Sequence, residues 1–150
     1  MKYAFFPGCV SQGGAPELYI ATKLICSKLG IEIEEISGWT CCGAGVMQEK
    51  NELFGDTLNA RTFAKAEEAG LPILTICSTC QGVMGQANLR MKRDPEYLAQ
   101  INSHLAEEGL EYKGTAEPKH LLWILIEDLG LDSLLPHITR SLSGLRVAPF

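Results

Sequence analysis

Five cysteines restrict the folds open to this chain more than any other feature. Cys9 stands alone, Cys41 and Cys42 are adjacent, and Cys77 and Cys80 form a C-x-x-C; 31 residues separate Cys9 from Cys41 and 34 separate Cys42 from Cys77. Each group follows a short apolar run of strand character, at residues 3–6, 31–33 and 73–76. In a parallel α/β sheet the carboxyl ends of the strands open onto one crevice. The spacing therefore predicts an α/β domain with a parallel central sheet flanked by helices and the cysteines at the C-terminal strand ends. Five soft thiolates brought together there read as a metal or iron–sulfur site.

Local signals fill in the rest. A strand over 2–6 stops at Pro7-Gly8, and a loop continues through Gln12-Gly13-Gly14. Pro16 suits the first turn of a helix in which Leu18, Ala21, Leu24, Ile25 and Leu29 recur at helical spacing; Gly30 caps it, and Cys26 within it reads as a small core residue. Ile31, Ile33 and Ile36, with glutamates between, suggest a strand with one wetter face near the sheet edge. Gly43 and Gly45, after the cysteine pair, permit positive φ and close approach of the backbone to an anionic centre. Trp39 is positioned to shield such a centre. A helix over 52–69 is expected to turn Leu53, Phe54, Leu58, Phe63 and Ala66 inward or partly so. Residues 71–76 suit a central strand, and a helix over 79–92 puts Cys80 in its first turn, where the helix amino terminus favours a thiolate. A helix over 95–108 follows Asp94-Pro95. Another begins at Pro118 and runs to about Leu129, burying Leu121, Leu122, Leu125 and Leu129; residues 131–141 form a shorter helix or turn. The run at 145–150 echoes 2–6, so 1–144 reads as a single domain and 145–150 as the start of a second copy.

The 150 residues suffice for one domain with a proper core. A net charge of −5 and a pI near 5.2 argue against nucleic acid and anionic membrane surfaces as partners. The apolar start is too short for a signal-peptide core. The longest aliphatic and aromatic run, 121–126, is far short of the ~20 residues of a transmembrane segment. A reducing cytoplasm is the natural expectation, and there closely spaced cysteines are ligands or redox thiols more often than staples.

Structural zinc and a standard 4Fe–4S cluster each take four protein ligands, whereas this crevice offers five. Either one thiol stays free or the centre is not a simple cube. Adjacent residues of an extended chain point to opposite sides, so Cys41 and Cys42 reach one site only if the chain wraps or the centre is large. A strained vicinal disulfide and a metal-free redox pair at Cys77 and Cys80 are the competing readings. Thr40, Ser78 and Thr79 are candidate hydrogen-bond donors to a bound centre, and His120 is a candidate outer partner.

The pattern C-x31-CCG-x33-CxxC, with Phe6-Pro7-Gly8-Cys9 and Trp39-Thr40-Cys41-Cys42-Gly43, resembles the cysteine-rich CCG domain. That domain occurs in the heterodisulfide reductase B subunit, in related succinate dehydrogenase subunits and in glycolate and lactate oxidase iron–sulfur subunits. The chain looks most like the amino-terminal copy in a heterodisulfide reductase B-like subunit, over residues 1 to about 130. The resemblance implies that Cys9, Cys41, Cys42, Cys77 and Cys80 together ligate a noncubane 4Fe–4S cluster used in electron transfer and thiol–disulfide reduction. It implies, as partners, a second CCG domain of the same parent chain, an electron-donating iron–sulfur subunit and a disulfide substrate. On that reading this chain is half an active site of an oxidoreductase and inactive by itself. The alternative is a zinc-binding assembly module of a succinate dehydrogenase-like complex.

Overall fold

The computed structural model describes residues 1–141 and 143–148. Four strands, β1 (Lys2–Phe6), β2 (Glu32–Glu35), β3 (Ile73–Thr75) and β4 (Pro118–His120), form an all-parallel sheet in the order β2-β1-β3-β4. The register sets Tyr3 opposite Ile33, Phe5 opposite Leu74, and Thr75 opposite His120. The chain goes from β1 outward to β2 and then returns to lay β3 on the other side of β1. Strand order therefore reverses between β1 and β3, and this switch point is where open α/β sheets present their crevice. The α/β class, the parallel sheet and the edge position of β2 all match the sequence expectation.

The helices are α1 (Cys9–Gly13), α2 (Pro16–Lys28), α3 (Val46–Lys50), α4 (Glu52–Glu68), α5 (Ser78–Arg93), α6 (Pro95–Leu105), α7 (Leu121–Trp123) and α8 (Leu131–Leu134). A π-helical stretch, Ile124–Leu129, continues α7, and 3-10 turns cover Ala106–Glu108 and Leu135–His137. Alternation along the strands divides the core in two. Ala4, Phe6 and Ile73 pack with Phe63, Met84 and Ile101 of α4, α5 and α6. Tyr3, Phe5 and Leu74 pack on the other face with Cys26, Leu121 and Ile124. Each such large side chain contributes roughly 1.5–3 kcal/mol by leaving water.

Several elements differ from expectation. The apolar stripe of α2 faces outward: Leu18, Leu24 and Ile25 are 39%, 58% and 40% exposed, and the buried positions are Thr22 and Cys26. The helix meets the sheet through Thr22 and Cys26 and through Tyr19, whose ring stacks on Phe5 with centroids 5.8 Å apart. The Thr22 hydroxyl donates to Leu18 O, which makes its burial tolerable. The loop expected after Gly8 is the short helix α1, and α3 was not foreseen. Phe54 and Leu122 are exposed rather than inward. Pro118 opens a strand, not a helix. Its missing N–H is tolerated at the first residue of an edge strand, and α7 waits until His120 Nδ1 accepts the Leu122 N–H as its cap. Residues 145–148 form no strand, and Pro149 and Phe150 of the echo lie outside the described residues. Among the described residues no helix is long and apolar enough to cross a membrane.

Candidate metal centre

All five cysteines of the motif lie at the carboxyl rim of the sheet. Cys9 opens α1 directly after β1; Cys41 and Cys42 sit in the connection from β2 to α3; Cys77 precedes α5 directly after β3, with Cys80 in the first turn of that helix. Gly8 makes the first approach possible. Its φ of 79° and ψ of 154° are essentially glycine-only, and a Cβ built there would lie 3.3 Å from Cys80 Sγ. The Ser11 hydroxyl donates to the carbonyls of Pro7 and Gly8 and pins this turn. Trp39 packs edge-on against Phe6, with ring centroids 5.3 Å apart, and its indole N–H donates to Glu35. It thus closes the core beside the cysteine pair.

Two pairs of sulfurs lie within contact distance. Cys9 and Cys41 Sγ are 3.8 Å apart, Cys42 and Cys80 Sγ are 3.3 Å apart, Cys41 interacts with Cys42, and Cys77 with Cys80. The group has two sides: Cys42 and Cys80 are buried, Cys9 and Cys41 are exposed, and Cys77 is intermediate. All five cysteines are free thiols, so the adjacent pair is not a vicinal disulfide. Cys26 lies apart in the other core layer, where burial pushes its thiol pKa up.

Charge within the group is uneven. A hydrogen bond from Cys80 holds the Cys42 thiol down at about 6, with help from the Ala44 N–H and from Cys41, while burial opposes the shift. Cys80 is driven strongly upward, first by giving that hydrogen bond to Cys42 and then by burial and by Cys77. The hydrogen bond between them thus lowers the Cys42 thiol and raises the Cys80 thiol. Burial raises Cys41, against a hydrogen bond from the Gly43 N–H at 3.5 Å.

Polar groups border the sulfurs. Backbone N–H groups of Gly43 and Ala44 point at sulfur, and Gly43 holds φ at 79°. The Thr40 hydroxyl, one residue before Cys41, is buried with no hydrogen-bond partner among the described residues. Among the described residues no three Cys, His, Asp or Glu side chains converge on a single-ion position. Ser78 and Thr79 are at the surface, as are His104 and His137. His120 is occupied at Nδ1 by its helix cap.

Two buried polar residues of α4 were missed in the sequence. Asn59, 1% exposed, donates through Nδ2 to Cys42 O at 3.0 Å and to Gly55 O at 2.9 Å. Asp56 receives Arg90 through two contacts of 2.7 and 2.6 Å and the Tyr97 hydroxyl at 3.0 Å, which ties α4 to α5 and α6. The available signal was a pair of poor helix formers three residues apart, in a helix otherwise apolar on that side.

With this geometry in place, the likenesses to known proteins are specific. Residues 3–85, more than half the chain and including all five cysteines, match the cysteine-rich domain family CCG. The chain is 40% identical over 149 residues to the 8-methylmenaquinol:fumarate reductase membrane anchor subunit of Wolinella succinogenes, covering 99% of this chain and 51% of that one. It is 38% identical over 148 residues to the B subunit of the ferredoxin/F(420)H(2)-dependent CoB-CoM heterodisulfide reductase of Methanosarcina acetivorans, covering 98% and 49%. It is 33% identical over 149 residues to a protein of Archaeoglobus profundus described as like the heterodisulfide reductase B subunit, covering 99% and 50%. The chain thus spans about half the length of the curated relatives it matches. A crystal structure of a hypothetical protein from Helicobacter pylori shares the fold, with a TM-score of 0.74 at 18% identity over 82% of this chain and 25% of that one. A family match that encloses every cysteine at the crevice has one meaning: the chain belongs to the CCG cysteine-rich domain family.

Proposed function

We propose that Cys9, Cys41, Cys42, Cys77 and Cys80 hold a noncubane 4Fe–4S cluster, and that the domain serves electron transfer in thiol–disulfide reduction. The observation that carries this reading is the gathering of five free thiols, four of them in two close pairs, at the strand ends beside the β1/β3 switch point. Five sulfur donors exceed what one zinc ion takes, which favours a multinuclear centre. Gly8 leaves room beside Cys80, and the amides of Gly43 and Ala44 offset the negative charge of thiolates. When bound, such a cluster supplies one-electron chemistry at sulfur-ligated iron.

The residues divide the labour. Cys42 and Cys80 anchor the buried side, where water is excluded and the electrostatics of the site are strengthened. Cys9 and Cys41 hold the exposed side, through which substrate sulfur and an electron donor have access. The names of relatives in two Methanosarcina species, both B subunits of heterodisulfide reductases, support a disulfide as substrate. Those relatives are twice as long, so the full reaction is assigned to this domain together with a second CCG domain and an electron-donating iron–sulfur subunit.

Metal analysis of anaerobically purified protein tests the reading. Iron and acid-labile sulfide in equal amounts are expected, and Cys41→Ser should lower both while the fold persists. Stoichiometric zinc without iron would overturn it in favour of a structural knot. Metal-free protein whose Cys77 and Cys80 cycle as a disulfide would overturn it in favour of a dithiol oxidoreductase.

A further inference from the structure

The adjacent cysteines pose a geometric problem, since consecutive side chains of an extended strand diverge. One peptide unit beside the pair is held at both ends. The peptide between Cys42 and Gly43 is trans, so its carbonyl and its N–H point in opposite directions. The carbonyl end accepts the Asn59 amide at 3.0 Å, and the N–H end donates to Cys41 Sγ at 3.5 Å. Gly43, at φ 79°, permits the turn that follows. Asn59 is itself fixed: it is 1% exposed on α4, and its Nδ2 also donates to Gly55 O one turn earlier.

We propose that Asn59 is a positioning residue for the cysteine pair: by holding the Cys42 carbonyl it aims the Gly43 amide at the Cys41 sulfur. Asn59 acts only through the peptide. A donor at the carbonyl end also polarises the peptide and strengthens the N–H at the other end. Because α4 is packed against α5 through Asp56 and Arg90, the amide is held by the body of the domain and not by its own loop. The placement holds for the thiols whatever they bind. Its effect on a reduction potential rests on the iron–sulfur reading.

The test has an arm for each. In the reduced, metal-free chain, amide exchange followed by NMR should show the Gly43 N–H protected at least about tenfold over an unbonded amide. Asn59→Asp, which keeps the shape but loses the donor, should abolish that protection; Asn59→Ala reads the same loss if the aspartate variant does not fold. Thr62→Val removes another buried hydroxyl from α4 and should leave Gly43 protected. An unprotected Gly43 amide in the unaltered chain overturns the proposal without any variant, as does equal loss in Thr62→Val. In the iron-loaded protein, the uncharged Asn59→Ala should lower the midpoint potential, because an amide donor to sulfur favours the electron-rich state. A tenfold shift of that one-electron equilibrium is about 59 mV. An unchanged potential beside a lost Gly43 protection overturns the redox consequence and leaves the placement standing. Absence of iron with Gly43 still protected overturns the cluster and not Asn59.

Discussion

At Cys42 the pocket holds a thiolate near neutral pH before any metal is bound. Its folded pKa of about 6 lies below the ordinary thiol value of 9.0, so between those pH values the metal-free folded state binds fewer protons than the unfolded chain. Stability then rises with pH from about 6 toward 9 and is lost as pH falls through about 6. Cys80 acts with the opposite sign, but only above the ordinary thiol range, where the unfolded chain ionises and the folded chain resists. Thermal unfolding of reduced, metal-free protein across this range should show the rise. Cys80→Ser should shift the ultraviolet thiolate titration of Cys42, and Cys42→Ser should abolish its first step. Gly8 allows a second prediction at this scale. Gly8→Ala forces a Cβ into a glycine-only conformation and toward Cys80 Sγ, at a cost of about 1–3 kcal/mol. Denaturant unfolding should read that loss, and iron incorporation should fall with it.

At the scale of the element, α2 and α4 separate pattern from orientation. The apolar positions of α2 were legible as a helix, and the helix exists, but periodicity does not say which face meets the sheet. That was decided by packing on Tyr3 and Phe5, which turns Thr22 and Cys26 inward and stacks Tyr19 on Phe5. Leu24→Glu should therefore change stability by less than about 0.5 kcal/mol, as expected at an exposed site. Phe63→Ala in α4, fully buried and tilted against Tyr112 at 5.2 Å, should cost about 3–5 kcal/mol. Urea unfolding of the two variants side by side checks both. Asn59 and Asp56 escaped sequence reading for a related reason: a mid-helix amide or carboxylate shows no sign of its partner until the Cys42 carbonyl and Arg90 are brought to it.

Across the whole molecule, the cysteines close the crevice as the sheet assembles, because each group sits on a different strand end. A centre bound by all five ties β1, β2 and β3 together at their carboxyl rim. Stripping iron with a chelator should therefore lower the midpoint of thermal unfolding, and Cys9→Ser should remove most of that difference. The same topology explains what was readable in advance. Residue order alone pointed to three strands with the five thiols following them at one rim. Parallel strands share a direction, and a residue just after a strand has nowhere else to go. Three other features took shape only once the chain had packed: Cys80 lowers the Cys42 thiol, Pro118 begins a strand, and Asn59 holds the peptide of the cysteine pair. Each of these depends on distances between segments far apart in the chain, and local propensity carries no record of such distances.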